Sequence, residues 1–335
     1  MRAPRLRSVL LLVLPLCAGC LGAGSDGGSD GGADGRPQGG PATAGAASWQ
    51  RSDAPLTADV LPFAVDGTVH VGDERIDTGA TLATFVVAGD GVYFVADEDP
   101  DDGFLPQSGT GELQFADRDG EVVETGVEIL LTSLRASPDG HHLAALDMAS
   151  GEKDAFGTPQ AALVVWDLAA GEEVVRGTEA TGDPDEDDLA ALYSELNMHI
   201  ASIDDDGLVL ETSSTWVYDF ATGGGKRVND QVEFSSALDA PAGEWRLDGR
   251  GREQTMLGPG GARVKPDLDP ARLELFGWVD ATTSYGVLNG DPEVLVTCVV
   301  PTGACTELDG TAGQRVVLPA GLSEPGLDLT GQSDD

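Results

Sequence analysis

Lysine is nearly missing from this chain of 335 residues; it occurs only at Lys153, Lys226 and Lys265. Basic residues number 19 against 58 acidic ones, a formal charge of −39. Nucleic acid is held by Lys and Arg set against phosphates, so this balance excludes nucleic acid as a partner. It equally excludes electrostatic adhesion to anionic lipid headgroups, which takes a polybasic patch. A solubility role, a saline habitat, cation accumulation and a basic partner all fit the acidity. Aromatic residues are scarce, at 5%, so a core must come mainly from Val, Leu and Ala. No run of about 18 apolar residues occurs, so no segment is long enough for a membrane-spanning helix. No Gly-x-Ser-x-Gly elbow, phosphate-cradling Gly loop or His-Glu-x-x-His pair occurs. Histidine is limited to His70, His141, His142 and His199, at spacings that make no ligand pair. His141 and His142 read as decoration of a surface turn, and His199 as a satisfied core or channel side chain.

Cysteine is scarce too: Cys17, Cys20, Cys298 and Cys305. The last two lie in Thr297–Thr306, a hairpin with Pro301 and Thr302 at its centre. Residues 298 and 305 then face each other across two strands, close enough for a disulfide. An exported chain permits that bond. A metal site is the poorer reading, because two ligands are too few and no His is near.

The chain begins with an address. Arg2, Arg5 and Arg7 form a positive stretch, and Val9–Leu16 is apolar but far too short to cross a bilayer. Ala18, Gly19 and Cys20 follow. This ending resembles the lipobox of bacterial lipoproteins, in which small residues precede a Cys that becomes the lipidated first residue; Cys17 stands where the family usually has Leu. The resemblance implies a signal peptide over 1–20, lipid attachment at Cys20, and a cell-membrane location facing the extracytoplasmic side. Residues 21–48 are Gly, Ser, Asp, Ala and Pro, a composition that cannot bury enough apolar surface to offset chain entropy. They are expected to be a disordered linker. Residues 49–322 are the folded domain, and 323–335 are expected to fray.

Within 49–322 one pattern recurs: apolar strand, Gly-containing turn, second strand. It is found around Gly72, Asp119, Ala170, Thr222, Gly260 and Thr302. Those centres stand about 40–50 residues apart, the length of a four-stranded propeller blade. Inner strands are expected at Ala83–Gly89, Thr132–Ser137, Met198–Ile203, Ser235–Asp239 and Leu273–Val279. A last strand, Gln314–Pro319, is left to join the first hairpin. The expected fold is therefore an all-β propeller of six four-stranded blades, closed by mixing N- and C-terminal strands; seven blades is the alternative. One helix is expected, over Asp185–Met198, because acids lead and Leu189, Leu192, Tyr193 and Leu196 recur at helical spacing.

Ser137-Pro-Asp-Gly followed by Val165-Trp-Asp-Leu-Ala-Ala-Gly resembles the blades of WD-repeat and TolB-like propellers. Trp166-Asp167 matches the WD dipeptide, and Tyr218-Asp219 echoes it. The Gly-His signature of true WD repeats is missing. The resemblance runs over roughly Val60 to Pro319 and implies a fold without a mechanism, since propellers host unrelated functions.

Calcium is the one cofactor the sequence raises. Asp97, Asp99 and Asp101 resemble the start of a calcium loop, but Asp102 replaces the required Gly and Ser108 the closing Glu. Solvated loops explain these acids equally well. Trp49, Trp216, Trp245 and Trp278 offer aromatic faces for a sugar, although such cores use Trp for packing. The reading that follows is a lipid-anchored binding or scaffold module whose partner is an envelope or secreted protein. The alternative is a propeller that binds or hydrolyses a saccharide or small molecule at its central channel.

Overall fold

Short runs of Val, Leu, Ala and Phe closed by Gly or Asp turns become antiparallel strands here. The computed structural model describes residues 52, 54–56, 60–97, 109–228, 238–241, 243–248, 254–322 and 326–330. These lie in one compact unit, Ala44–Asp335. The signal, Cys20, the linker, Trp49, Asp99 and Asp101 lie outside the described residues.

β1 (Phe63–Val65), β2 (Thr68–Val71) and β3 (Glu74–Asp77) form a first meander. β4 (Leu82–Ala88), β5 (Gly91–Ala96), β6 (Thr110–Asp117) and β7 (Val122–Leu130) form a second. β8 (Arg135–Ala136), β9 (His142–Asp147), β10 (Ala162–Asp167) and β11 (Glu172–Gly177) form a third. Helix α1 (Leu189–Glu195) precedes the fourth, made of β12 (His199–Ile203), β13 (Gly207–Glu211), β14 (Thr215–Asp219) and β15 (Gly224–Val228). β16 (Arg246–Asp248), β17 (Thr255–Leu257) and β18 (Arg263–Val264) make the fifth, and a bridge from Asp239 to Arg246 extends it. β19 (Leu273–Trp278), β20 (Thr283–Leu288), β21 (Val294–Val299) and β22 (Ala304–Glu307) make the sixth. β23 (Arg315–Val317) then returns to β1, with Val317 opposite Ala64 and Val316 opposite Val65, and β24 (Gly326–Asp328) adds to its other side. The second and third meanders touch through Ile129 and Asp147, which makes one eight-stranded sheet of them.

All six expected hairpins are present, in the pairs β2–β3, β6–β7, β10–β11, β14–β15, β17–β18 and β21–β22. Gly303 shows how tightly one turn is built. Its φ is +78°, and a Cβ there would stand 2.2 Å from the Lys265 carbonyl oxygen, so only glycine fits.

Side chains alternate between two faces of a strand, and in β4, β5, β9, β10, β20 and β21 both faces are buried. Phe85 and Phe94 join a core with β1, β2 and β3, whereas Val86 and Tyr93 turn to a core with β9 and β10. Ala144 and Val165 face β12 and β13; Leu143 and Val164 face back to β5 and β6. Val296 and Cys298 pack toward β16 and β17, while Leu295 packs with Phe63 and Val316. Each fully buried Leu, Val or Phe contributes about 1.5–3 kcal/mol relative to exposure. This double burial is why these six strands read as nearly continuous apolar runs, whereas outer strands such as β11 and β15 do not.

Three expectations differ from the structure. The helix is shorter than Asp185–Met198, because Asp188 is its cap: Asp188 Oδ1 accepts from Ala191 N at 3.1 Å, and Leu196 is already extended. The stretch Thr132–Ser137 opens with a 3-10 turn over Leu131–Ser133 before the short β8. Part of the tail expected to fray is ordered instead, since β24 pairs with β23 and Leu329 is only 1% exposed. Of Ser235–Asp239, only the last two residues are described.

Candidate functional site

Strands of successive sheets are neighbours: β4 lies beside β8 and β23, and β8 beside β12. A cavity of about 280 Å³ opens where several of them end. Val86 comes from β4, Ala136 from β8, Val279 from the residue after β19, and Pro319 and Leu322 from the chain after β23. Leu61, ahead of β1, completes the wall. Four sheets thus contribute to one hollow.

Among the described residues, the one side-chain hydroxyl in its wall is committed. The Ser137 hydroxyl donates to Asp139 Oδ1 at 2.6 Å and accepts from His142 N at 2.9 Å. Asp139 also accepts from His141 N at 2.9 Å. Partial burial works against its charge, but these two hydrogen bonds and the two histidines hold its carboxyl below the usual range. Gly140 has φ +72° beside Pro55, which lets the turn pass close to the N-terminal segment. The segment after β23 is held by Ala320 N, which donates to the Phe85 carbonyl at 2.8 Å. Arg135 lies against Gly321 and donates through Nη1 to the carbonyls of Leu134 (2.7 Å) and Thr132 (3.2 Å). Burial draws its pKa down to about 10.

The residues marked by sequence lie elsewhere. Cys298 and Cys305 form a disulfide between opposed positions of β21 and β22. Asp97 Oδ2 meets Arg315 Nη2 at 3.3 Å, and its side chain is only 4% exposed, so this carboxylate already has a cation. Among the described residues no three of His, Cys, Asp and Glu come together as metal ligands. His70 stacks on Phe63 at 4.5 Å; burial, and then Arg75, lower its pKa. His141 and His142 are half-buried, which corrects the surface-turn reading: the His142 ring packs 4.7 Å from Phe220, and the Nδ1 atoms of both are buried. His199 Nε2 meets Glu211 Oε2 at 3.2 Å across paired strands. Trp278 is buried and donates to the Leu238 carbonyl at 2.9 Å, and Trp216 and Trp245 are partly buried against cores, so these three pack.

The cavity itself escaped the sequence. Its walls are ordinary apolar residues drawn from positions 56 to 322, and no local pattern distinguishes them from core.

No protein-family model matches the sequence, and no curated protein matches it. Similar solved structures include the C-terminal WD40 domain of Sif2, at 9% identity over 76% of this chain and 74% of that one, with a TM-score of 0.30. Dihydro-heme d1 dehydrogenase NirN in complex with DHE is 15% identical over 80% of this chain and 55% of that one, with a TM-score of 0.32. Puromycin hydrolase is 17% identical over 75% of this chain and 45% of that one, with a TM-score of 0.29. The chain spans about half the length of the last two. Likeness at these scores transfers neither detail of fold nor activity.

Proposed function

We propose that this chain is a six-bladed β-propeller, held on the extracytoplasmic side of the cell membrane by a lipid on Cys20, and that it serves there as a protein-binding or scaffold module. Support for the ring comes from the cores. The first sheet shares apolar faces with the second and the sixth, the second with the third, the third with the fourth, and the fifth with the sixth. A ring of six then needs one further junction, between the fourth and fifth sheets. The pairing of β23 with β1 supports closure through the two ends of the chain.

The observation that carries the functional reading is the wall of the cavity at the strand ends. Leu, Val, Pro and Ala face it, and the Ser137 hydroxyl is engaged by Asp139. Ligand pockets for drug-sized molecules run to about 300–1,000 Å³ and place polar groups for orientation. This hollow, at about 280 Å³, stands just below that range, and no Asp, Glu, His, Lys or Arg is among the described side chains that line it, which suits a rigid scaffold whose work is done by its loops.

In-cell crosslinking followed by mass spectrometry tests the reading, with Cys20→Ala as the unanchored control. One protein recovered with the anchored form alone is the expected result. The absence of an enriched protein in either form would overturn it.

A further inference from the structure

Among the described residues, two long connections depart from the regular repeat and are tied together. One is the loop 148–161 between β9 and β10; the other is the insertion 178–198 between β11 and β12, which carries α1. Gln160 Nε2 donates to the Thr178 carbonyl at 3.2 Å, and Thr181 Oγ1 donates to the Ala161 carbonyl. Ala161 N donates to Tyr193 Oη at 2.7 Å. Asp154 makes the central tie: Oδ1 accepts from Phe156 N and Thr158 N, and Oδ2 from Leu189 N, all at 2.9 Å.

At the tip of this braced loop stands Phe156, 75% exposed, the most exposed large apolar residue among those described. Leaving an aromatic ring in water forgoes about 1.5–3 kcal/mol of burial. A floppy loop could fold such a ring back; this one is held by three backbone hydrogen bonds to a single carboxylate. The insertion that braces it carries Asp183, Asp185, Glu186, Asp187 and Asp188, all exposed. A rigid aromatic side chain on a loop tied through Leu189 N to an acidic insertion has the make-up of an interface anchor and its rim. Bracing it in advance reduces the entropy lost on binding.

We propose that this projection is the docking surface of the protein: Phe156 inserts into an apolar socket on a partner protein, and the carboxylates of 183–188 meet Lys and Arg bordering that socket. The inference rests on the reading of the chain as a binding module. The net charge of −39 points to a basic partner in the same sense.

The test places benzoylphenylalanine, a photoreactive relative of the native side chain, at position 156 of the full chain in cells. Val217 and Val122, also exposed but on strands β14 and β7, receive the same probe. The expected result is one crosslinked protein at position 156 and none at the other two, with the link mapped to an apolar segment flanked by Lys or Arg. For the purified pair, Phe156→Ser should then weaken binding at least ~10-fold, added salt should weaken it further, and Val217→Ser should leave it unchanged. A product at Val217 or Val122 but not at 156 overturns the docking surface and leaves the binding reading standing. A linked segment without basic residues overturns the partner chemistry. No product at any position overturns the binding reading itself.

Discussion

Asp154 governs more chain than its size implies. Burial works against its charge, but the N–H groups of Thr158, Leu189, Phe156 and Gly157 outweigh that and hold its carboxyl below the usual range. A carboxyl lowered by folding contributes stability that is complete above the unfolded value, about 3.9, and is lost as pH falls through the folded one. The loop should therefore keep slow amide exchange, corrected for intrinsic rate, down to about pH 4 and lose it below. Asp154→Asn turns an amide donor toward one of these N–H groups. Exchange at Phe156, Thr158 and Leu189 should quicken while β9 and β10 stay protected; unchanged protection at all three would show that something else braces the loop. The disulfide acts more simply. Replacing Cys298 and Cys305 by Ala should cost about 2–3 kcal/mol for so short a loop, read as a lower urea midpoint. The cysteine pair was legible because hairpin register alone opposes the two residues. Asp154 was not, because its third partner, Leu189 N, comes from a different excursion of the chain. His142 was misread for the same reason: Phe220, which covers it, lies far along the sequence.

At the scale of elements, hairpins were the legible part. Apolar alternation and a Gly turn lie within a dozen residues, so local sequence contains everything the hairpin needs. β24 is the counter-example. Gly326-Leu327-Asp328 has two poor strand formers in three residues, and only the waiting edge of β23 makes it a strand. Leu329 follows it into the core shared with Leu61, Phe63 and Tyr285. Leu329→Ala should cost about 2–4 kcal/mol, measured by thermal or urea unfolding. A loss below about 0.5 kcal/mol, the level of an ordinary surface change, would mean that the tail contributes nothing to the fold.

At the scale of the molecule, charge dominates and strands from the two ends of the chain meet. With −39 formal charges on 335 residues, self-repulsion opposes compaction and salt relieves it. Raising salt from about 0.05 M to about 1 M, which shortens the Debye length severalfold, should raise Tm; a fall would mean that local ion pairs such as Arg176 with Asp147 and Glu173 outweigh the global field. The acidity was plain from composition, but a use for it was not, because the tie between the Phe156 loop and the acidic insertion joins Asp154 to Leu189 N, 35 residues apart. The meeting of the two chain ends was expected from one spare hairpin and one spare strand, and β1 against β23 shows them in one sheet.

The proposed ring rests on sheets joined in that way, and Ala64→Cys with Val317→Cys tests it most directly. The two positions are directly opposed in the sheet. After export and without reductant, a non-reduced digest should contain the peptide of residue 64 bonded to that of residue 317, and the protein should unfold at a higher urea concentration. If both thiols instead remain free to alkylation in the folded protein, the ends of the chain do not share a sheet, and the ring they are proposed to close does not exist.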